Sequence, residues 1–499
     1  MQRIDSPSDI QIWFANLDRR TAAVLIGLCM GVVGGVLGLA VAVANPLLVV
    51  GGVVGGLIGL YLLTSLQAAL YSIILILMLL PFGTVPLNIG FTPTLLDSVI
   101  GVTLLIYLLQ WMKRDRQSLK LTPVHGVILL YLMWLLLAFA LGLRHAPMTT
   151  TIARQFVETL LAIGATFVLV DILNRRHLLR RLVLVVLVGA TLQSLITIGL
   201  YLIPEETANL ALNRLARFGY PTGGVLQYIE ATPDLGQRAI GTWIAPNSLG
   251  GMLAIVAVII APQVFAARPV FRYRWLTFAI LCLIGLALII TFSRASALAL
   301  AFGLLVIAFV RYRRFLPVLA LGGVLMLFLP QAQYYLGRFV EAFTAADLAT
   351  QMRIGEWTDS LRLISRYPIT GVGFTGTPDI DIYTDVANMY LIMANQIGLV
   401  GVAIFMSTMI GVLAYGWRAW HFARQDADLE AIHLGFHAAL VTALVNAVAD
   451  LYFFRLDFQP LITLFWLVVA LSLASSRLAL LTPRRASTES TVVKSARIE

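Results

Sequence analysis

Apolar residues fill this chain in long runs, roughly 22–44, 47–64, 66–82, 94–112, 122–143, 152–172, 182–203, 242–265, 275–292, 295–310, 315–330, 387–415, 430–449 and 458–476. Runs of about 20 residues cross ~30 Å of hydrocarbon as helices. The ten-residue alternation of a membrane β-barrel does not occur. The pattern therefore predicts an all-α polytopic membrane protein of about 12–14 transmembrane helices. The first two runs are glycine-rich and separated only by Asn45-Pro46, which fits a tight hairpin or two short spans. Two polar stretches are long, 204–241 and 331–386. In the second, Phe343, Leu348, Ile354, Trp357, Leu361 and Ile364 recur at helical spacing and predict an amphipathic helix from Glu341 to Ser365, lying over the bundle. Arg366-Tyr367-Pro368 ends it, and Gly371-Val372-Gly373 follows as a turn. No linker splits residues 1–499 into two domains, and no internal repeat is visible.

Composition and charge sharpen this picture. The chain is 60% hydrophobic and 12% charged, against about half apolar and a quarter charged in soluble domains. An ordinary globular enzyme and a disordered chain are excluded. The formal charge of +10 sits in short clusters between apolar runs, which points to membrane lipids and not to nucleic acid. With the N-terminus placed inside, 24 of the 35 basic residues fall on cytoplasmic loops or tails. Both termini are then cytoplasmic, 478–499 is a cytoplasmic tail, and 204–241 and 331–386 are extracytoplasmic loops. All three lysines fall inside, so the 11 outer basic residues are arginines, whose planar forks suit phosphate and carboxylate. The opening MQRIDSPSDIQIWFANLDRR is mixed in charge and does not read as a cleavable signal peptide. Cys29 and Cys282 lie in apolar runs and are expected to pack there. The run GGVVGGLIG at 51–59 permits close helix packing.

Four outer patches carry candidate chemistry: Arg238 in QRAIGTWIAPNSLGG, Arg294 in TFSRASA, Arg353 in QMRIGEW, and Asn388 with Tyr390 in DVANMYL. Arg294 has almost no loop to lift it clear of the membrane, so it must snorkel, pair or face a polar cavity. Arg238 has Asp234 and Glu230 nearby as salt-bridge partners, and Arg353 has Glu356 and Asp359. Three arginines meeting in one pocket would suit a diphosphate. His433 and His437 stand at i, i+4 without an adjacent acid, which reads as helix packing and not as a metal site. Arg154 and Glu158 read as a membrane-edge ion pair, and Asp450, Arg455 and Asp457 as a last outer loop that either orients the site or is simply solvated. No Walker A loop, Rossmann fingerprint, HExxH or GxSxG occurs.

Taken together, RAIGTWIAPNSLG at 238–250, TFSRASALALA at 291–301, RIGEWTDSLRLISRYPITGVGF at 353–374 and ANMYLIMANQIGLVGVAIF at 387–405 resemble the O-antigen ligase / O-antigen polymerase superfamily of bacterial envelope glycan enzymes. The resemblance implies transfer of a glycan from an undecaprenyl-diphosphate carrier to an acceptor glycan or glycolipid, at the outer face of the inner membrane, without metal, cofactor or nucleotide sugar. It implies that Arg238 and Arg294 bind the diphosphate and that Arg353 is a third contact or loop anchor. Asn388 and Tyr390 match the Asn and aromatic of the family's His-Asn-x-Tyr-Leu pattern. The histidine position is Ala387 here, and alanine cannot take a proton. Asp385 and His145 are the outer candidates to replace it, and reliance on diphosphate departure is the alternative. The departure favours a polymerase-like member over a lipid A ligase. A transporter or flippase, an inactive homologue and a structural component stand as rival readings; a transporter would show broken helices or paired repeats at the midplane.

Overall fold

A computed structural model describes residues 65–85, 92–113, 119–229, 232–327, 348–377 and 386–481, with side chains left out for 325–327 and 348–353. Contacts divide the chain at Ala68. Only residues 65–68 of the first unit are described, and the helix bundle is that of the second, Ala69–Glu499. The two earliest apolar runs, the 51–59 motif and Cys29 lie outside the described residues.

Among the described residues, each predicted apolar run from residue 66 onward forms a helix over most of its length. In chain order these are α1 Leu66–Leu79, α2 Leu95–Met112, α3 His125–Gly142, α4 Thr150–Ile172, α5 Arg176–Leu202, the short α6 Glu205–Asn213, α7 Pro246–Ile260, α8 Arg274–Ile289, α9 Arg294–Val310, α10 Leu316–Leu327, the amphipathic α11 Leu348–Arg366, α12 Met389–Ala423, α13 Glu430–Asn446 and α14 Gln459–Leu481. Among the described residues seven helices are long and apolar enough to cross a membrane, and α1, α8 and α9 are shorter apolar helices. The only named strands among them are β1 Gln227–Tyr228 and β2 Gln237–Arg238, an antiparallel pair with Gln227 opposite Arg238.

Local chemistry sets several helix starts. Thr94, Thr149, Ser293 and Asn388 each cap a helix by accepting the backbone N–H three residues on. Pro246 takes the first position of α7, where a missing N–H costs nothing. Two helices outrun their apolar stretches. α5 begins six residues early, in RHLLRR, and α12 runs eight residues late, through WRAWHFA. Long arginine stems cover apolar surface while their heads reach water, so a charge does not end a helix.

α14 lies at the centre, buried at every position from Gln459 to Ser476 and packed against α4, α12 and α13. α7, also almost wholly buried, packs against α13, α9 and α8. α8 sits at the perimeter with Trp275, Phe278 and Leu286 exposed. Cys282, expected to pack, is exposed there for the same reason.

α12 is broken. Gly398 has φ 69° and ψ 174°, so two helical pieces meet at an angle. The backbone groups freed by the break find partners elsewhere in the protein, as a bundle interior requires. Val372 N–H donates to the Asn395 carbonyl at 2.8 Å and Gly373 N–H to that of Gln396 at 2.9 Å. The Trp134 indole donates to the Ile397 carbonyl at 2.9 Å, and Leu399 N–H donates to Pro368 at 2.8 Å. The stretch expected to be a simple turn, Gly371-Val372-Gly373, therefore splices a helix. Its glycines permit the close approach: Gly373 has φ 80° and lies against Gly142 of α3.

Loops meet at the two ends of the bundle. One end joins the basic loops: Arg176 pairs with Asp426 at 2.8 Å, Arg180 and Arg268 share Asp428, and Arg311 pairs with Glu430 at 2.6 Å. The other end gathers the starts of α7, α9 and α12 with the segment after α13.

Candidate functional site

At that second end, a small apolar cluster of Ala208, Leu212, Leu226 and Ile240 holds the β1–β2 ladder and so fixes Arg238. The Arg238 guanidinium donates from Nε to the Thr291 carbonyl at 2.9 Å and from Nη2 to Asn247 Oδ1 at 2.6 Å. Ala239 N–H donates to the Ile290 carbonyl alongside, at 2.9 Å. One side chain thus joins β2, the first turn of α7 and the short turn between α8 and α9.

That turn delivers Arg294. Ile289 ends α8, Ser293 caps α9, and Arg294 is the first residue of α9, half-buried. Phe292 adopts φ 53° and, between Arg238 and Asn247, Ile244 adopts φ 63°. Left-handed backbone is costly for an aromatic and still more for a β-branched residue, by about 1–3 kcal/mol each, and such outliers gather at functional sites. A cation at a helix N-terminus also opposes the macrodipole. The same placement adds helix and guanidinium potentials at any anion bound there.

Polar contacts carry the site to α13 and α12. Ser293 and Ser296 hydroxyls lie 2.8 Å apart, and Asn446 Nδ2 donates to Ser296 Oγ at 3.3 Å. Gly250 keeps α7 against this pair, since a Cβ there would stand 2.8 Å from Ser296 Oγ. Asn388 Nδ2 donates to the Val448 carbonyl at 2.8 Å while its Oδ1 caps Leu391. Met389 N–H donates to Ala447 and Asp450 carbonyls, and the Tyr390 hydroxyl donates to the Leu444 carbonyl at 2.8 Å. Asn388 and Tyr390 thus lock α12 to the last turn of α13 and the segment after it. Replacing Tyr390 with Phe leaves the Leu444 carbonyl without this donor. It is expected to cost about 1 kcal/mol, read as a lower unfolding midpoint in detergent, and an unchanged midpoint would contradict the lock.

Segment 447–458 returns to Arg238. Burial, then the Asp450 carboxylate, push the Tyr452 hydroxyl up to about 12, while Arg455 and Arg238 pull the other way. Tyr452 remains a hydrogen-bond donor at neutral pH. Arg455 pairs with Asp457 at 2.8 Å.

From the opposite neighbour, α11, Glu356 Oε2 accepts the Ala387 N–H at 3.3 Å and Ser360 Oγ donates to Asn395 Oδ1 at 3.0 Å. Glu356, Ser360 and the buried Leu363 form the face turned to α12, while Ile354, Trp357 and Leu361 are exposed. That exposed apolar stripe suits a helix in the membrane interface.

Of the predicted site residues, Arg238 bonds directly to the turn that carries Arg294, and Asn388 and Tyr390 meet the end of α13 that Asn446 ties to α9. Arg353 lies on α11 with its side chain outside the described residues, as does Asp385 entirely. His145 packs its ring against Tyr367 at 5.5 Å. Asn247, Ser296, Asn446, Tyr452 and Glu356 escape a reading of the sequence for site residues. Asn247, inside the APNSLG stretch, and Asn446, polar at an apolar helix end, are the visible signals.

Outside this site, Arg154 and Glu158 form their pair at 3.4 Å. His433 bonds Ser475 Oγ and the Gly416 carbonyl, each at 3.1 Å, and His437 contacts Ser476 Oγ at 3.2 Å, a packing role between α12, α13 and α14. Among the described residues no three His, Cys, Asp or Glu side chains come together as a metal site.

The chain is thus a multi-pass membrane protein with a guanidinium-based polar cluster at one end of its bundle. Residues 279–406 match the family model described as O-Antigen ligase, a span that includes Arg294, Glu356, Asn388 and Tyr390 but not Arg238. The match supports the O-antigen ligase/polymerase superfamily and, with it, O-antigen ligase-type glycosyl transfer in envelope polysaccharide assembly. No curated protein matches the chain. A chain in the solved structure titled "Structural coordination of polymerization and crosslinking by a peptidoglycan synthase complex" is similar at 19% identity and a TM-score of 0.39, covering 70% of this chain and 97% of that one.

Proposed function

We propose that this protein is a glycosyltransferase of the bacterial inner membrane. It moves a glycan from an undecaprenyl-diphosphate carrier to an acceptor sugar at the outer face. The acceptor oxygen bonds to the anomeric carbon, the bond from that carbon to the diphosphate breaks, and the electron pair leaves with the carrier. Arg238 and Arg294 take up the charge that develops on the diphosphate, Arg353 adds a third fork, and Asn388 and Tyr390 hold the site in register. The observation that carries this reading is the bond from Arg238 to Thr291, three residues before Arg294.

The test is transfer by purified protein, using undecaprenyl-diphosphate-linked glycan extracted from the producing cells as donor and acceptor. Longer glycan and free undecaprenyl diphosphate are the expected products. Arg238→Ala is expected to slow transfer about 10²–10³-fold, as loss of one such donor does. Wild-type protein that forms no product would sink the reading.

A transporter is the second reading, favoured by the break at Gly398, because broken helices form the substrate sites of many transporters. Against it, the freed groups of α12 pair with Pro368, Val372, Gly373 and Trp134. Movement of the labelled glycolipid across proteoliposomes, without bond formation, would reinstate it.

A further inference from the structure

We infer that Glu356 is the group that takes the proton from the acceptor hydroxyl, an assignment that rests on the transferase reading.

Glycosyl transfer releases a proton when the hydroxyl becomes a glycosidic oxygen. A base must stand within about 2.6–3.2 Å of that hydroxyl, directly or through one water. Several carboxylates at this end of the bundle already have side-chain partners. Asp457 pairs with Arg455, Asp359 with Arg362, Glu158 with Arg154, and Glu205 accepts from the Tyr228 hydroxyl. Glu356 instead accepts from a neutral backbone N–H, that of Ala387.

Its location fits the task. Ala387 immediately precedes Asn388, which caps α12 and bonds Val448, and Met389 bonds the Asp450 carbonyl. Glu356 thus stands one residue from the junction between α12 and segment 447–458. Asn446, immediately before the same segment, bonds Ser296 in the first turn of α9, the helix that Arg294 opens. A carboxylate and the diphosphate-binding arginines then flank one stretch of backbone, as a reaction with a proton leaving one side and a diphosphate the other requires. Ser360, one turn after Glu356, anchors α11 to Asn395, and Leu363 is buried beside it, so the carboxylate rides on a fixed helix face. Glu356 is itself half-buried, open to a sugar yet partly screened from water. In the step, the acceptor O–H bond breaks with its proton going to the Glu356 carboxylate, the oxygen bonds to the anomeric carbon, and the diphosphate leaves with the electrons of the cleaved C–O bond.

Glu356→Gln separates this role from a structural one. Glutamine keeps an oxygen to accept the Ala387 N–H but takes no proton. In the transfer assay the variant is expected to fall about 10²–10⁴-fold in rate and to retain undecaprenyl diphosphate as tightly as wild type. Glu356→Asp is expected to recover part of the rate. Near-normal transfer by Glu356→Gln overturns the assignment. So does loss of undecaprenyl diphosphate binding together with rate, which marks a structural residue. Asp385→Asn is run in parallel, and loss there with Glu356→Gln still active moves the base to Asp385 and overturns it as well. No transfer by wild-type protein overturns the transferase reading itself, and the assignment with it.

Discussion

Lysine at position 294 is expected to impair transfer almost as much as alanine does. Arg294 opens α9 directly after its Ser293 cap, so either substitution leaves the cap and the helix start in place. What changes is the head group. Guanidinium offers a rigid planar fork that matches two phosphate oxygens at once, whereas ammonium is a compact point charge. If Arg294 grips a diphosphate as its bond to the anomeric carbon breaks, loss of the fork removes stabilisation that the charge alone does not restore. Both variants are expected to fall about 10²–10³-fold in glycan transfer, with lysine within about tenfold of alanine. The comparison is made at matched protein levels in membranes. Near-normal polymer from Arg294→Lys would mean that the residue is a charged membrane anchor.

Gly398→Ala is expected to prevent recovery of folded protein. The backbone there has φ 69°, and an added Cβ would overlap the Ile369 carbonyl, which belongs to the splice and cannot swing aside like a side-chain tip. Left-handed strain of about 1–3 kcal/mol adds to overpacking of about 1–3 kcal/mol. A sum of roughly 2–6 kcal/mol consumes much of the stability of a folded domain. Gly285→Ala is the control, since its backbone φ is ordinary and nothing lies within 4 Å of the new Cβ. Monodisperse yield after detergent extraction should collapse for the first variant and hold for the second. Equal yields would show that α12 does not need its break.

The helices are legible in the sequence because each apolar run has one physical use in a bilayer, and length alone separates a span from a strand. The break in α12 is not. Gly398 stands in NQIGLVGV, where a lone glycine costs a helix only about 1 kcal/mol and marks nothing. What makes the break tolerable is a set of partners at 368–373 and Trp134, distant in the chain, three of which act through backbone atoms that every residue carries. The site divides along the same line. Arginines at the ends of apolar runs stand out because their burial is costly. Arg238 also bonds the carbonyl of Thr291 and the side chain of Asn247, partners to which the sequence does not point. Backbone acceptors leave no trace in a sequence. Glu356 reads only as a helix-surface acid until the packing of α11 on α12 turns it toward Ala387.

The burial of α14 bears on how the molecule is made. A ribosome delivers this chain in order, and the segment at the bundle's centre comes after every other described helix. Until Gln459–Leu481 is inserted, α4, α12 and α13 have a vacancy where their common neighbour belongs, and Gln155 and Thr159 await the amide of Gln459. The native packing of the earlier helices is complete only once α14 is in place. A bundle that lacks its centre leaves unpacked surface of the kind that chaperones and proteases engage. Chains stopped before residue 459 should accordingly be degraded whole, while their shared architecture up to that point counts for little.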